Sequence, residues 1–212
     1  MIILFDLDGT LIDSTDAIVN TFHHSFDVHG VRHPNDEEIK ALIGYPLDVM
    51  YKELGVDDSE VWDYVATYKE RYRIISTEQT KLLECAKEAV LTASEFAQLG
   101  IVTTKTGTYS KILMEHFGLM KHFEVLIGRE HVDSPKPHAE PILKAMSMMD
   151  ATNKEVWMIG DTKMDLISST NAGINSIGVL SGYGEKVTLQ KYSKYVMKDA
   201  LEAVQYLHSI KK

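Results

Sequence analysis

The sequence has one cysteine, no long apolar run and no excess of positive charge, and each absence excludes a class of protein. Cys85 is the only cysteine among 212 residues, so the chain forms no internal disulfide and suits a reducing compartment. A net charge of −9 argues against a nucleic-acid partner, whose phosphates lysine and arginine would have to neutralise. No apolar stretch approaches the roughly 18 residues of a membrane span.

The N-terminal residues show no targeting pattern. No basic cluster precedes the first apolar residues, and Asp6 interrupts their run, so no signal peptide is predicted. We therefore expect a cytoplasmic protein without nucleic-acid or membrane partners, present as a monomer or a homodimer. Hydrophobic residues at 44% and charged residues at 25% are ordinary values for a globular chain with a sizeable core.

Two acids follow the first apolar run directly. Residues 2–5 predict a buried strand, and Asp6 and Asp8 come at its end. Side chains two residues apart on extended backbone point to the same side, so both acids should converge at the sheet edge where α/β proteins bind ligands. Two carboxylates so close to each other repel and need a cation or a shared proton between them. This arrangement indicates metal-assisted chemistry on an anion. The alternative is an ordinary Asp-Gly turn.

The hydrophobic pattern divides the chain into two parts. Residues 15–80 show helical periodicity and no convincing strand, ending in a helix whose stripe includes Trp62, Val65 and Tyr72. Helices and strands then alternate, so we predict an α/β fold with a doubly wound parallel sheet. Its core comprises residues 1–14 and 81–212, and a small all-helical cap of residues 15–80 is inserted after the first strand. Later strands are predicted at 101–102, 125–127, 156–159 and 175–179, and later helices at 84–99 (with Cys85 as a small apolar residue), 109–117, 139–149, 166–172 and 200–210.

Polar residues follow three of these later strands. Thr103, Thr104 and Lys105 precede a helix whose free N–H groups could form an anion cradle with the hydroxyls, although these residues taken alone slightly favour simple capping by threonine. Prolines on both sides of Lys136 fix its backbone, which favours a phosphate-binding charge over a solvated lysine. The neighbouring His138 suits a helix start or the surface better than catalysis.

A second acid pair follows the strand at 156–159. Asp161 stands at the strand exit, and Asp165 follows one helical turn later on the same face. A capping box with Thr162 would explain Asp165 but not Asp161. Together with Asp6 and Asp8, Asp161 completes an oxygen-rich site suited to Mg²⁺.

In these motifs the chain resembles the haloacid dehalogenase superfamily of aspartate-dependent phosphohydrolases. Residues 6–11 are similar to its first motif, Thr103 to its second, Lys136 to its third, and Asp161 with Asp165 to its fourth. Residues 43–47, 103–105 and 136–141 look most like phosphoglycolate phosphatases, while related pyrophosphatases and nucleotidases look similar. Residues 84–86 stand where that subfamily has Pro-Gly, and Thr104 where it commonly has Asn.

The resemblance implies a Rossmann-like core and a Mg²⁺-dependent phosphatase of small phosphorylated metabolites. By this resemblance Asp6 becomes a transient aspartyl phosphate, and Asp8 protonates the leaving group and then activates water. Asp6, the Asp8 carbonyl and Asp161 would hold Mg²⁺, and Asp165 would steady Lys136 or a metal-bound water. The residues expected to contact the phosphoryl group or support the site are Gly9, Thr10, Thr103, Thr104 and Lys136.

Three other functions remain open at this stage. A phosphomutase and a pyrophosphatase or nucleotidase would use the same scaffold, while a non-catalytic receiver-like switch would use a phosphorylated aspartate without turnover. The acid at Asp8 and the cap of some 65 residues speak against the switch. The cap residues that could select a substrate are Tyr45, Lys52, Lys69, Arg71 and Arg73.

Overall fold

The computed structural model describes residues 1–30 and 33–211, and its centre is a six-stranded parallel sheet. The six strands are β1 (Ile2–Phe5), β4 (Gln98–Val102), β5 (Val125–Ile127), β6 (Val156–Gly160), β7 (Asn175–Val179) and β8 (Tyr195–Met197). Their order in the sheet is β5-β4-β1-β6-β7-β8. The chain moves outward from β1 on one side and then crosses to the other, so β1 lies at the topological switch point.

Strand β1 is the most enclosed part of the sheet. Its four residues are fully buried, as an apolar strand covered by helices on both faces requires. Phe5, its last residue, pairs in register with Ile101 of β4 and Ile159 of β6. The residues that follow β1, β4 and β6 therefore emerge side by side at one edge of the sheet.

Helices cover both faces of the sheet. The helices of this part of the chain are α5 (Ala86–Ser94), α6 (Gly107–His116), α7 (Glu140–Met148), α8 (Lys163–Asn171), α9 (Lys186–Leu189) and α10 (Ala200–Ile210). Helices α5 and α10 share a core with Ile3 and Phe5, whereas α7 packs with Ile2 and Leu4 on the opposite face. This arrangement confirms the predicted doubly wound α/β fold.

Four helices follow β1 before the sheet resumes. They are α1 (Thr15–His29), α2 (Asp36–Lys40), α3 (Leu47–Glu53) and α4 (Val61–Ile75), and the described residues of 15–80 contain no strand. A short antiparallel pair, β2 (Ile12–Asp13) and β3 (Lys81–Leu82), joins the two ends of this segment. We call residues 15–80 the cap segment; α1 begins at Thr15 and β3 at Lys81.

Several predicted elements differ from the structure. The helix predicted at 84–99 is α5 alone, because Gln98 and Leu99 already pair with β1. Cys85 precedes that helix in a left-handed conformation with φ of 62°, so its placement within the helix was wrong. Trp62 is 62% exposed and does not belong to the buried stripe of α4. Some short elements were not predicted from the sequence. They are β2, β3, β8 and α9, each four residues or shorter.

Among the described residues, no helix is both long enough and apolar enough to cross a membrane.

Candidate active site

The ends of three neighbouring strands place Asp6, Thr103 and Asp161 at one edge of the sheet. Each is the first residue after its strand, and all three side chains are buried. The backbone N–H of Asp6 donates to Ile159 O at 3.0 Å, which extends the pairing of β1 and β6 by one residue. Position at the strand exit, rather than local sequence, brings these side chains together.

Lys136 enters this edge from the loop between β5 and α7. Its Nζ lies 3.0 Å from Asp6 Oδ1 and donates to Asp165 Oδ1 at 2.5 Å and to Val102 O at 2.9 Å. The side chain is 2% exposed, and the peptide bond to Pro137 is cis. Burial alone would lower the pKa of Lys136, but the two carboxylates outweigh burial and raise it, so the ammonium stays charged.

Asp6, Asp161 and Asp165 form a cluster of three buried acids. One carboxylate oxygen from each lies within 4.8 Å of the others. Burial raises the pKa of Asp6 to about 7 against the opposing effect of Lys136, and burial followed by the neighbouring acids raises the pKa of Asp161 as well. Asp6 Oδ1 is ion-paired with the Lys136 ammonium at 3.0 Å and accepts no hydrogen bond from the other described residues.

This donor set fits a hard divalent cation. Clustered carboxylates are the oxygen ligands that Mg²⁺ prefers, and a cation would offset the repulsion that raises their pKa values. A metal therefore suits the residues present at this edge.

Backbone and hydroxyl donors orient Asp161. Thr10 Oγ1 donates to its Oδ1 at 3.1 Å, and the backbone N–H of Tyr183 donates to its Oδ2 at 2.8 Å. Gly9 packs against this carboxylate with φ of 81°, where a Cβ would collide with the Asp161 side chain. Close packing beside the acid thus requires Gly9, and Thr10 donates to the same carboxylate.

Asp165 serves two purposes at once. Its Oδ2 accepts from Thr162 N at 3.0 Å and from Thr162 Oγ1 at 2.7 Å, which forms the capping box at the start of α8. Its Oδ1 accepts from Lys136. One oxygen of Asp165 thus caps α8 and the other contacts Lys136, while its part in the reaction stays a prediction.

Asp8 does not join the acid cluster; its carboxylate pairs with Lys105. Lys105 Nζ lies 3.2 and 3.0 Å from the two Asp8 oxygens, and Ser14 Oγ donates to Oδ1. The same ammonium lies 4.6 Å from the centre of the Tyr72 ring, so it joins the cap segment to the core. Sequence reasoning assigned no role to Lys105 and overlooked Ser14, whose spacing from Asp8 gave no signal.

The start of α6 is not available as an anion cradle. Glu130 Oε2 accepts from Gly107 N at 2.7 Å and its Oε1 from Thr108 N at 3.1 Å, so another loop already caps the helix. The expectation of free N–H groups there was wrong, because the capping carboxylate comes from far along the chain.

The other residues predicted around this edge have separate contacts. Thr104 Oγ1 donates to Gly44 O of the cap segment at 3.0 Å, and Thr103 Oγ1 accepts from Lys105 N at 3.2 Å. The ring Nδ1 of His138 accepts from Glu140 N at 3.1 Å at the start of α7. His138 thus has the helix-start role that the sequence favoured.

A doubly wound sheet with an acid cluster and a buried lysine at its switch point defines an α/β enzyme suited to phosphoryl groups. The model for haloacid dehalogenase-like hydrolases matches residues 3–179, so the chain belongs to that family and is a hydrolase. Pyrophosphatase PpaX of Halalkalibacterium halodurans is 33% identical over 200 residues, which cover 92% of this chain and 91% of that protein.

Solved structures show the same architecture. A haloacid dehalogenase-like family hydrolase from Streptococcus pneumoniae is 27% identical, with a TM-score of 0.87 and 97% of each chain covered. A predicted phosphoglycolate phosphatase from Haemophilus somnus reaches a TM-score of 0.87 over 97% of each chain at 19% identity, which indicates a shared fold and nothing finer.

Proposed function

We propose that this protein hydrolyses phosphate monoesters of small metabolites in a Mg²⁺-dependent reaction, with Asp6 as the nucleophile. One observation carries the proposal: Asp6 is buried beyond the central strand, ion-paired with Lys136 and clustered with two further acids. Lys136 and the acid cluster, which fits a divalent cation, can hold a phosphoryl group against this carboxylate.

Each residue has a distinct role in the reaction. An Asp6 oxygen bonds to phosphorus while the bond from phosphorus to the leaving oxygen breaks, which gives an aspartyl phosphate. Asp8 donates a proton to that leaving oxygen and later takes one from the water that releases phosphate from Asp6. Lys136 and Thr103 bind the phosphoryl oxygens as charge develops on them, and Asp165 positions Lys136.

The metal would be held by Asp6, Asp161 and the main-chain carbonyl of Asp8. When bound, Mg²⁺ supplies positive charge that offsets the acids and the phosphoryl oxygens. Phosphate release should stop in EDTA and return with Mg²⁺ but not with Ca²⁺, which accepts a larger and looser set of ligands. Full activity in EDTA, or with Ca²⁺ alone, would contradict this assignment.

Pyrophosphate is the second candidate substrate. The relative from Halalkalibacterium halodurans is named a pyrophosphatase, and its similarity extends over nearly the whole chain. The residues at the sheet edge would act in the same way, because only the leaving group differs.

Two substitutions test the proposed division of roles. Asp6→Asn removes the nucleophile, so turnover should fall to background. Asp8→Asn leaves the attacking carboxylate in place but cannot move a proton, so turnover should fall by about 10²–10⁴-fold. Substrates with good leaving groups need little protonation, so p-nitrophenyl phosphate should still release nitrophenol in a first turnover by Asp8→Asn.

The circular dichroism spectra and unfolding midpoints of both variants control for misfolding. Turnover by Asp6→Asn at more than a trace of the original rate would contradict the role of the nucleophile. An Asp8→Asn variant with unchanged steady-state rates would contradict the role of the acid.

A further inference from the structure

A cavity of about 210 Å³ lies between the cap segment and the core, on the leaving-group side of the proposed site. Asp8 lines this cavity, whereas Asp6 and Lys136 do not. Because Asp8 is the residue that protonates the leaving oxygen, the space beyond it receives whatever that oxygen carries. The cavity therefore bears on substrate choice rather than on the reacting phosphorus.

Aromatic rings form one wall of the cavity. The rings of Tyr68 and Tyr72 stack at 5.4 Å between centroids, and Tyr109 of the core continues the wall 5.8 Å from Tyr72. Tyr72 is 1% exposed, and its hydroxyl has no hydrogen-bond partner among the described residues. This wall is therefore aromatic, with the Tyr72 ring stacked on Tyr68 and contacted by the Lys105 ammonium, and with the Tyr72 hydroxyl as its unsatisfied polar group.

Aliphatic side chains from three cap helices complete the enclosure. They are Ile18, Leu47, Met50 and Val65. Of the five cap residues that the sequence offered as selectors, Tyr45 and Lys69 line the cavity and the other three do not.

The charges around the cavity nearly cancel. Lys105 pairs with Asp8 at 3.0 Å, and Arg129 Nε lies 3.9 Å from Asp48 Oδ1. The carboxylate of Glu130 caps α6. Lys69 is the lining cation that has no ion pair among the described residues. The lining thus has three cations and three acids, and Lys69 is the one of these cations that a phosphate or carboxylate on the leaving group could pair with without breaking an ion pair of the described residues.

The volume is sufficient for one ring. A cavity of about 150 Å³ lined by apolar side chains binds benzene, so about 210 Å³ accepts one substituted ring. Aromatic and aliphatic walls favour an apolar ring over a charged group.

We infer that the preferred substrates are phosphate monoesters whose leaving group is a single apolar or aromatic ring, not pyrophosphate or phosphoglycolate. This inference rests on the proposed phosphatase function and adds the class of substrate. The leaving oxygen lies at Asp8, and the ring packs between the tyrosine wall and the aliphatic side chains of the cap segment.

A series of four substrates tests the inference: benzyl phosphate, ethyl phosphate, 2-phosphoglycolate and pyrophosphate. The first two release alcohols of similar basicity, so their ratio of kcat/KM reports ring burial rather than leaving-group chemistry. Burial of one ring predicts a kcat/KM about 10- to 100-fold higher for benzyl than for ethyl phosphate. Pyrophosphate and phosphoglycolate should fall below benzyl phosphate by at least as much.

Two matched variants on α4 locate the selection in the cavity. Val65 and Val61 are 3% and 0% exposed, but only Val65 belongs to the cavity wall. Val65→Thr places a hydroxyl against the ring and should lower the benzyl-to-ethyl ratio about three- to tenfold. Val61→Thr makes the same chemical change in the cap interior and should leave the ratio unchanged, even where it lowers stability.

The outcomes separate this inference from the proposed function. Mg²⁺-dependent hydrolysis that depends on Asp6 but prefers pyrophosphate or phosphoglycolate would overturn the inference and leave the function in place. A benzyl-to-ethyl ratio near one, or an equal response to Val65→Thr and Val61→Thr, would also overturn it. Absence of phosphate release from all four substrates would overturn both.

Discussion

The residues on the core side of Asp8 are charged and paired with one another, whereas those on its cap side, around the cavity, are mostly apolar. On the core side, three acids and Lys136 are fully buried and paired through contacts of 2.5 to 3.1 Å. On the cap side, the wall is aromatic and aliphatic, and its charged groups neutralise one another. Fixed charges suit a phosphoryl group, and an apolar wall suits the group that leaves it.

This difference assigns reaction and selection to separate segments of the chain. The core-side residues come from strand ends, where hydrogen bonds of the sheet fix the backbone. The cap-side residues come from helix faces that contact the core through few polar groups, such as Thr104 with Gly44 and Tyr109 with Lys69 O. Under the inference above, substitutions in the cap segment should change the substrate without moving the acids.

The largest effect is expected from Lys136→Met, which removes the cation from the core side. Asp6 and Asp165 would be left as buried acids without compensation, at a cost of about 3–5 kcal/mol in the free energy of unfolding and with loss of turnover. Urea unfolding and phosphate release measure the two effects. Lys111→Met, at a 63% exposed lysine, should change stability by less than about 0.5 kcal/mol, and an equal response of both variants would contradict the account.

The residues on the core side could largely be predicted from the sequence, because apolar runs show where the buried strands end. Apolar runs locate β5 and β7 at their observed bounds, and the polar residue after a buried strand must lie at its carboxyl edge. Contacts between distant loops leave no such local pattern. The pairing of Lys105 with Asp8 and the capping of α6 by Glu130 each join residues more than 20 positions apart.

Short elements escaped prediction for a related reason. The strands β2, β3 and β8 have two or three residues each, too few to show a period. Their pairing is decided by the sheet or the hairpin around them. The apolar cavity was also invisible in the sequence, because cap aromatics packed inside α1–α4 and those facing the core share the same helical pattern.

A smaller effect is expected at the boundary between the two sides, where Glu130 caps α6. Burial would raise the pKa of Glu130, but the N–H donors of Gly107 and Thr108 outweigh burial and hold it below its usual value. A lowered pKa gives stability that is present above the unfolded-state pKa and lost as pH falls through the folded-state pKa. Glu130→Gln should therefore lower the free energy of unfolding by about 1 kcal/mol at neutral pH. At an acid pH where Glu130 is protonated in the folded protein, the same substitution should change it by almost nothing.

Unfolding by urea at several pH values measures this dependence. Glu115→Gln, at an exposed position in the same helix, is the matched control and should stay within about 0.5 kcal/mol throughout. A loss for Glu130→Gln that grows toward acid pH would contradict the capping role.

The smallest effect is expected at Cys85, where the chain returns from the cap segment to the core. Its φ of 62° costs a residue with a side chain about 1–2 kcal/mol, whereas glycine adopts this conformation freely and loses about 0.5–1 kcal/mol in chain entropy. Cys85→Gly should therefore stabilise the protein by up to about 1 kcal/mol, raising Tm by a few degrees. Cys85→Ala keeps the strain and should leave Tm unchanged; a lower Tm for Cys85→Gly would contradict the reasoning.

The central claim, that phosphorus is transferred to Asp6 and released with help from Asp8, is tested most directly by trapping the intermediate. Asp8→Asn is mixed with Mg²⁺ and p-nitrophenyl phosphate, quenched in acid, digested and analysed by mass spectrometry. The account predicts one phosphoryl group on the peptide that contains Asp6, and none in Asp6→Asn treated identically. Phosphate on another residue, or on Asp6→Asn but not on Asp8→Asn, would show that the two roles are assigned wrongly.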